Sequence, residues 1–403
     1  MTAQKRAMLI TFHNWEGRRQ GGFHKFAEAL CSAGYDVGFF SFPRPWYGAL
    51  KRSERQNARR LWRLLRGEEF RVHGRKLMNF TIPTFGVPGP LRRFMREAAN
   101  HRLDVQAVPG VAKACRFRYP HVELLMFEST QGILLFDEFR RAYPSAFTLY
   151  RPSDPLVGDP LCDAVLRNAE RHILLQADLV LLLDECVRTV YKRAFPDLDL
   201  DGPRFQILSN GLDLKDYRQP SPRPAVLGKG KVALYIGAHQ PEWQLLIRVA
   251  RELPACTVCI VCPERPPDRA LQEMSALSNC SYIPGVAPGD VAPFVVNCDA
   301  FLVPYPLGNL RTPTMGLTAK LLQAMAARKP IIARNVNPGL RQYGVQVCDT
   351  DDDFVAGVRD SLAEGARTYP VDLEAYDWAL IQSDFLAIVD RALARTRLMS
   401  VKK

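Results

Sequence analysis

The strongest constraint on this chain is an alternation that runs through it twice. Short apolar runs rich in β-formers take turns with amphipathic segments of helical period. Strand–helix–strand order of this kind predicts doubly wound α/β domains, in which crossover helices cover the sheet. The alternation is interrupted once, over residues 220–231, where Pro-Ser-Pro-Arg-Pro and then Gly-Lys-Gly-Lys make the best linker in the sequence. The 403 residues suit two domains of about 200 each. The expected division is 1–218, 219–376, and a terminal helix, 377–403, crossing back to the first domain.

The ends of the apolar runs carry the chemistry. Residues 8–12 read as the first strand, followed by a polar run from His13 to Gly22, a helix over 23–33 stopped by Gly34, and a strand over 36–41. No Gly-x-Gly-x-x-Gly follows the first strand, so no dinucleotide fingerprint is claimed. The run 122–127 ends in Glu128-Ser129-Thr130, and the run 146–150 ends in Arg151-Pro152-Ser153-Asp154. In open α/β sheets ligands bind outside the carboxyl ends of strands. Glu128 and Asp154 are therefore expected on one rim of one sheet. The same residues also fit a strand followed by a turn in which Ser153 or Asp154 caps the next helix.

Charge is lopsided. Residues 1–118 hold 23 Lys and Arg against 8 Asp and Glu, and the rest holds 31 against 34, within a net +12. Such a field implies an anionic partner for the first half. Ala58, Leu61, Trp62 and Leu65 fall at helical spacing with Arg59, Arg60, Arg63 and Arg66 between them. This is the pattern of a helix lying on an anionic membrane surface, and also of a surface helix packing its stripe on the core. Trp46, Tyr47 and the extra arginines favour the membrane. No nucleic-acid-binding module accompanies the charge, so nucleic acid is not expected as a partner. No apolar run approaches the roughly 20 residues of a membrane span. The N-terminus enters a strand almost directly, and a reducing cytoplasm is expected.

Three candidate metal motifs resolve otherwise. Cys256, Cys259 and Cys262 are spaced C-x-x-C-x-x-C, but Thr257, Val258, Ile260 and Val261 make the segment a strand, which sends residues three apart to opposite faces. Asp351-Asp352-Asp353 opens a helix, where the dipole favours carboxylates. Asp197, Asp199 and Asp201 read as a solvated loop. The histidines show no ligand spacing, and no metal is implied.

In the second domain the strand 300–303 ends in Pro304-Tyr305-Pro306, and a polar loop leads into a helix over 318–327, Thr-Ala-Lys-Leu-Leu-Gln-Ala-Met-Ala-Ala, before Arg328-Lys329-Pro330-Ile331-Ile332. A helix N-terminus is a natural phosphate site. Lys320 adds a full charge, and Gln323, one turn on, could reach a ribose hydroxyl. A solvated helix face fits the same residues.

Tyr150-Arg151-Pro152-Ser153-Asp154 and Lys320-Leu321-Leu322-Gln323, with Met126-Phe127-Glu128-Ser129, Ser209-Asn210-Gly211-Leu212-Asp213, Tyr235-Ile236-Gly237 and Pro304-Tyr305, resemble GT-B glycosyltransferases. Within them the chain is most similar to the xanthan-type exopolysaccharide glucuronosyltransferases of glycosyltransferase family 70. The resemblance implies two Rossmann-like domains with an interdomain cleft. It further implies an inverting, metal-independent enzyme, peripheral on the cytoplasmic face of the inner membrane. Such an enzyme moves glucuronate from a UDP-linked donor to a polyprenyl-diphosphate-linked oligosaccharide. Asp154 maps onto the proposed base, and Tyr305, Lys320 and Gln323 onto nucleotide contacts. Gly237 and His239 belong to the donor loop, with Glu128 and Arg151 on the acceptor side and Arg59, Trp62, Arg63 and Leu65 toward the membrane. Arg311 and His239 are candidate partners for a uronate. The chain departs from the family at Gly285-Val286-Ala287, where Gly-Glu-Met is usual, and at His239, where Met is usual. Transfer of a different nucleotide sugar, a non-catalytic sugar- or membrane-binding protein, and a sugar-nucleotide epimerase are the competing readings.

Overall fold

The computed structural model describes residues 4–17, 20–47, 62–159, 162–308 and 315–401, with side chains to residue 395. The chain divides into two compact units, 1–209 with 382–403, and 210–381. The first boundary falls nine residues before the expected 218. Leu212 explains it: its N–H donates to the Tyr376 carbonyl (3.0 Å) and its carbonyl accepts from Trp378 (3.1 Å), so the segment after Asn210 is held by the second unit.

The first unit is built on an eight-stranded sheet. In chain order its strands are β1 Arg6–Thr11, β2 Asp36–Ser41, β3 Glu68–Val72, β4 Arg75–Phe80, β5 Leu124–Glu128, β6 Phe147–Arg151, β7 Leu179–Leu182 and β8 Phe205–Ile207. Their spatial order is β3-β4-β2-β1-β5-β6-β7-β8. All neighbours are parallel except β3 and β4. Strands β1, β5 and β6 are almost wholly buried, with helices such as α1 (Gly22–Ser32) and α2 (Ala164–Gln176) over the sheet. Strands β3 and β4 pair as an antiparallel hairpin. It turns at His73 (φ 48°) and Gly74 (φ 74°), two left-handed residues as tight hairpins require. The basic segment after β4 forms two short helices, Gly89–Arg92 and Glu97–Val105.

The second unit holds a six-stranded parallel sheet. Its strands are β9 Lys231–Ile236, β10 Cys256–Val261, β11 Cys280–Ile283, β12 Ala300–Pro304, β13 Ile331–Arg334 and β14 Gln346–Cys348, in the order β11-β10-β9-β12-β13-β14. Strand β10 carries the spaced cysteines: Cys256 and Cys262 pack in one hydrophobic cluster and Cys259 in another, on the opposite face. Burial pushes the Cys256 and Cys259 thiols up to about 11. Asp351–Asp353 form the first turn of the helix Asp351–Glu364, where Thr350 and Asp353 make a reciprocal capping box. The last helix, Trp378–Val401, starts in the second unit and belongs to the first from Gln382 on. Phe385 packs 4.6 Å from the Phe26 ring, and Gln382 donates to the Lys25 carbonyl (2.7 Å). Among the described residues no helix is long and apolar enough to cross a membrane.

Candidate active site

In the first sheet the chain builds outward from β1 in both directions, toward β2 and toward β5. This is the switch point at which open α/β sheets bind ligands. Thr11 ends β1, Glu128 ends β5, and β6 pairs with β5 in parallel with Arg151 opposite Glu128. The Glu128 carboxylate is 2% exposed. It accepts from the Thr11 hydroxyl and from Ser153 Oγ (2.8 Å), with His13 Nε2 3.6 Å away. Ser129 Oγ accepts the backbone N–H groups of Ser153 (3.1 Å) and Asp154 (3.3 Å). The turn after β6 is thus tied to the end of β5, and Asp154 is exposed on it.

Arg151, expected on the acceptor side, lies beneath this turn. It is 1% exposed, donates to the Pro152 carbonyl (2.7 Å), and lies over the Phe26 ring. Burial holds its guanidinium down to about 10 against the opposing pull of Glu128. The side chain therefore supports the turn from beneath.

Sequence reasoning missed Glu170. This α2 carboxylate is fully buried and accepts from the hydroxyls of Tyr150 (2.8 Å) and Tyr191 (2.7 Å) and from the N–H groups of Leu156 (2.9 Å) and Val157 (2.8 Å). It anchors both sides of the Asp154 turn. Burial raises its pKa in spite of those four donors. The available signal was a Glu inside an otherwise amphipathic helix, which local pattern assigns to solvent.

The loop after β1 is equally fixed. Ser41 Oγ donates to the His13 carbonyl (2.6 Å), and Asn79 accepts from the Trp15 N–H (3.1 Å) while donating to the Phe39 carbonyl (2.9 Å). His24 Nε2 meets the Asn14 carbonyl (3.0 Å), and its Nδ1 accepts from Gly21 (3.2 Å). Burial lowers the His24 pKa to about 4, so the ring is neutral, as a donor at one nitrogen and an acceptor at the other demand.

The second sheet has its own switch point between β9 and β12. Gly237 follows β9 and Tyr305 follows β12. Lys320 enters from α3 (Ala319–Ala326), placing Nζ 4.4 Å from the Tyr305 ring centre and 5.2 Å from that of Tyr235. A Cβ at Gly237 would stand 2.8 Å from the Tyr235 hydroxyl and 3.3 Å from Lys320 Nζ, so only glycine admits this approach. The His239 carbonyl accepts from the Tyr235 hydroxyl and Cys262 Sγ, while its exposed imidazole lies 3.8 Å from Glu264. Gly237, His239, Tyr305 and Lys320 thus gather at one rim. Gln323, one turn further along α3, neighbours the hydroxyl of Tyr217. Arg311 lies outside the described residues.

The basic helix is described only from Trp62 to Arg66; Ala58, Arg59, Arg60 and Leu61 lie outside the described residues. Trp62 is 63% exposed and Leu65 half-buried. Leu64, off the expected stripe, is the buried residue, and Arg63 pairs with Glu16 (3.2 Å) and Glu68 within its own unit. A second apolar and basic set, of which sequence reasoning named only Trp46, lies elsewhere in the first unit. Trp46, Phe85, Leu91, Phe94 and Val108 are exposed, Phe94 by 73%, beside exposed Arg93, Arg96 and Arg102. Backbone bonds from Trp46 to Thr84 (3.0 Å) and from Phe85 to Gln106 (3.0 Å) bring these segments together.

Residues 9–183, which include the Asp154 turn, match the model of the glucuronosyltransferase GumK N-terminal domain. Residues 230–364, which include the Lys320 rim, match that of the glycosyl transferases group 1. The chain is a GT-B glycosyltransferase. Solved structures agree with that fold. Anabaena Alr3699/HepE, in complex with UDP-glucose, is 13% identical over 96% of this chain and 99% of its own, with a TM-score of 0.59. The α,α-trehalose 6-phosphate synthase of Burkholderia multivorans is 11% identical over 98% of both chains at 0.59. A UDP-N-acetylglucosamine 2-epimerase superposes at 0.52 with 12% identity, over 92% of this chain and 94% of its own. No curated protein sequence matches the glycosyltransferase.

Proposed function

We propose that this glycosyltransferase transfers glucuronate, with inversion, from UDP-glucuronate to a polyprenyl-diphosphate-linked oligosaccharide at the cytoplasmic face of the inner membrane. The observation that carries the reading is the match of residues 9–183 to a glucuronosyltransferase domain, joined to an exposed carboxylate on the clamped turn inside that span. Asp154 takes the proton from an acceptor hydroxyl as its oxygen attacks the anomeric carbon from the face opposite the nucleotide. The bond from that carbon to the phosphate oxygen breaks, and the electron pair leaves with the nucleoside diphosphate. Lys320, held over two tyrosine rings, meets the charge that develops on the diphosphate without any metal being required. Gly237 and the loop to His239 allow the nucleotide backbone a close approach. Uridine is the base favoured here, since structural neighbours carry UDP-sugars.

The lipid-linked acceptor and the membrane are supported by the exposed aromatic and basic set around Phe94 and by Trp62. Aromatic and arginine side chains of this kind bind anionic interfaces. The test is incubation of the protein with UDP-glucuronate and a panel of other nucleotide sugars, with and without a membrane lipid extract. Acceptor-dependent UDP release from UDP-glucuronate is the expected result. Release from a different donor alone would overturn the glucuronate assignment, and release without acceptor would overturn transfer to lipid.

A further inference from the structure

At the C-terminal end of α3, the end away from Lys320, lies a cavity of about 700 Å³. Its lining includes Arg218, Arg328, Lys329 and Arg367, with Tyr217, Met325 and Tyr369 as an aromatic and apolar floor. Two acids, Asp372 and Glu374, also line it, and Glu374 is already paired with Arg218. Arg367 lies 3.8 Å from Glu364. Arg328 and Lys329 make no ion pair among the described residues, which leaves two unneutralised cations at the cavity wall.

The backbone around these cations is closely specified. The Lys329 N–H donates to the Ala324 carbonyl (2.9 Å) and the Arg328 N–H to that of Met325 (2.9 Å). This is a Schellman motif with Arg328 at its left-handed position, φ 57°. Glycine is the usual residue there, because a Cβ is penalised; here a guanidinium stands in its place. The Arg328 carbonyl accepts from the Arg367 N–H (2.8 Å) and the Lys329 carbonyl from the Tyr369 hydroxyl. Both linkages fix residues of the opposite wall. Tyr217, in the floor, packs in one hydrophobic cluster with Leu321, Leu322 and Met325 of α3 and neighbours Gln323, one turn from Lys320 on the same helix.

We propose that this cavity binds a small soluble phosphate ester, the phosphate on Arg328 and Lys329 and the organic body on Tyr217 and Tyr369, and that occupancy is relayed through Tyr217 and Gln323 to the helix bearing Lys320. Its size suits a hexose phosphate, and neither the donor nor the acceptor reading assigns it a role.

The test uses calorimetry on the full chain with glucose 6-phosphate and inorganic phosphate as probes. Wild-type protein binds glucose 6-phosphate saturably and more tightly than phosphate, and Arg328→Gly weakens that binding at least tenfold. Glycine suits the backbone there, so the variant keeps its fold and its thermal midpoint. Saturation with UDP leaves the site available, and Lys320→Ala retains it. Absence of saturable binding, equal binding by Arg328→Gly, or displacement by UDP would each overturn the proposal. A KM for the nucleotide sugar that shifts at least threefold on adding glucose 6-phosphate supports the relay, provided Tyr217→Phe loses the shift while still binding. A KM that does not move would overturn it.

Discussion

The two sheet rims solve opposite electrostatic problems. In the first unit the switch point gathers carboxylates: Glu128 is buried under hydroxyl donors, Glu170 is buried beneath the turn, and Asp154 is exposed at the top. In the second unit it places the Lys320 ammonium over two tyrosine rings beside a glycine. The buried acids of the first rim accept hydrogen bonds from neutral O–H and N–H groups, and the buried Arg151 guanidinium beneath is attracted to Glu128. The cation of the second rim rests on π faces, which hold an ammonium in place without neutralising it. One rim is arranged to accept a proton and the other to receive negative charge.

The largest effect should come from removing the proton acceptor. Asp154→Asn is expected to lower the turnover number by about 10²- to 10⁴-fold while nucleotide affinity, read by calorimetry, stays at the wild-type value. Turnover within a few-fold of wild type would end the contrast between the rims. Lys320→Ala should reduce kcat/KM by about 10²- to 10³-fold, as loss of one preorganised charge partner does. Because this side chain is half-buried rather than core, its midpoint of unfolding should move little, and a collapse of stability would recast Lys320 as structural.

The third test concerns the rigidity of the first rim. Burial depresses the His24 pKa from 6.5 to about 4. A depressed pKa contributes stability that is complete above 6.5 and is lost as pH falls toward 4, because the unfolded chain takes up the proton first. Wild-type protein should therefore lose about 2 kcal/mol between pH 7 and pH 5 from this group. Denaturant titrations of His24→Gln at the two pH values should show a correspondingly smaller drop. Smaller again, Phe94→Ser should weaken binding to anionic vesicles about tenfold or less, given roughly 25 cal/mol per Å² of apolar surface, and leave turnover on a soluble acceptor unchanged. Arg63→Ala should do less still, since that guanidinium is already paired with Glu16 and Glu68.

Much of the fold was legible locally. Helix α1 and strand β2 fall within a residue of where apolar period and stop residues place them, because burial on both faces of a parallel sheet leaves little ambiguity in runs like β2. The β3–β4 hairpin was illegible because its strands, Glu-Glu-Phe-Arg-Val and Arg-Lys-Leu-Met-Asn-Phe, carry as much charge as a loop. They are stabilised by pairing at a sheet edge. Leu64, the residue turned inward, lies off the stripe of Ala58, Leu61, Trp62 and Leu65 for a related reason: helical spacing names a face, and only the packing partner decides which face is turned inward.

At the rims the division is the same. The sequence by itself determined that the strands end in Glu128, in Asp154 and in Pro304-Tyr305, and that Lys320 opens a helix, since chain order and residue chemistry are local properties. Only tertiary structure decided that Arg151 faces inward and that Gln323 neighbours Tyr217. The same holds for Glu170, which lies 16 residues beyond Asp154 in the chain and clamps the Asp154 turn. Whether a polar side chain is solvated, buried or shared depends on which distant donors reach it, and the free energy of burying a charge is set by those partners.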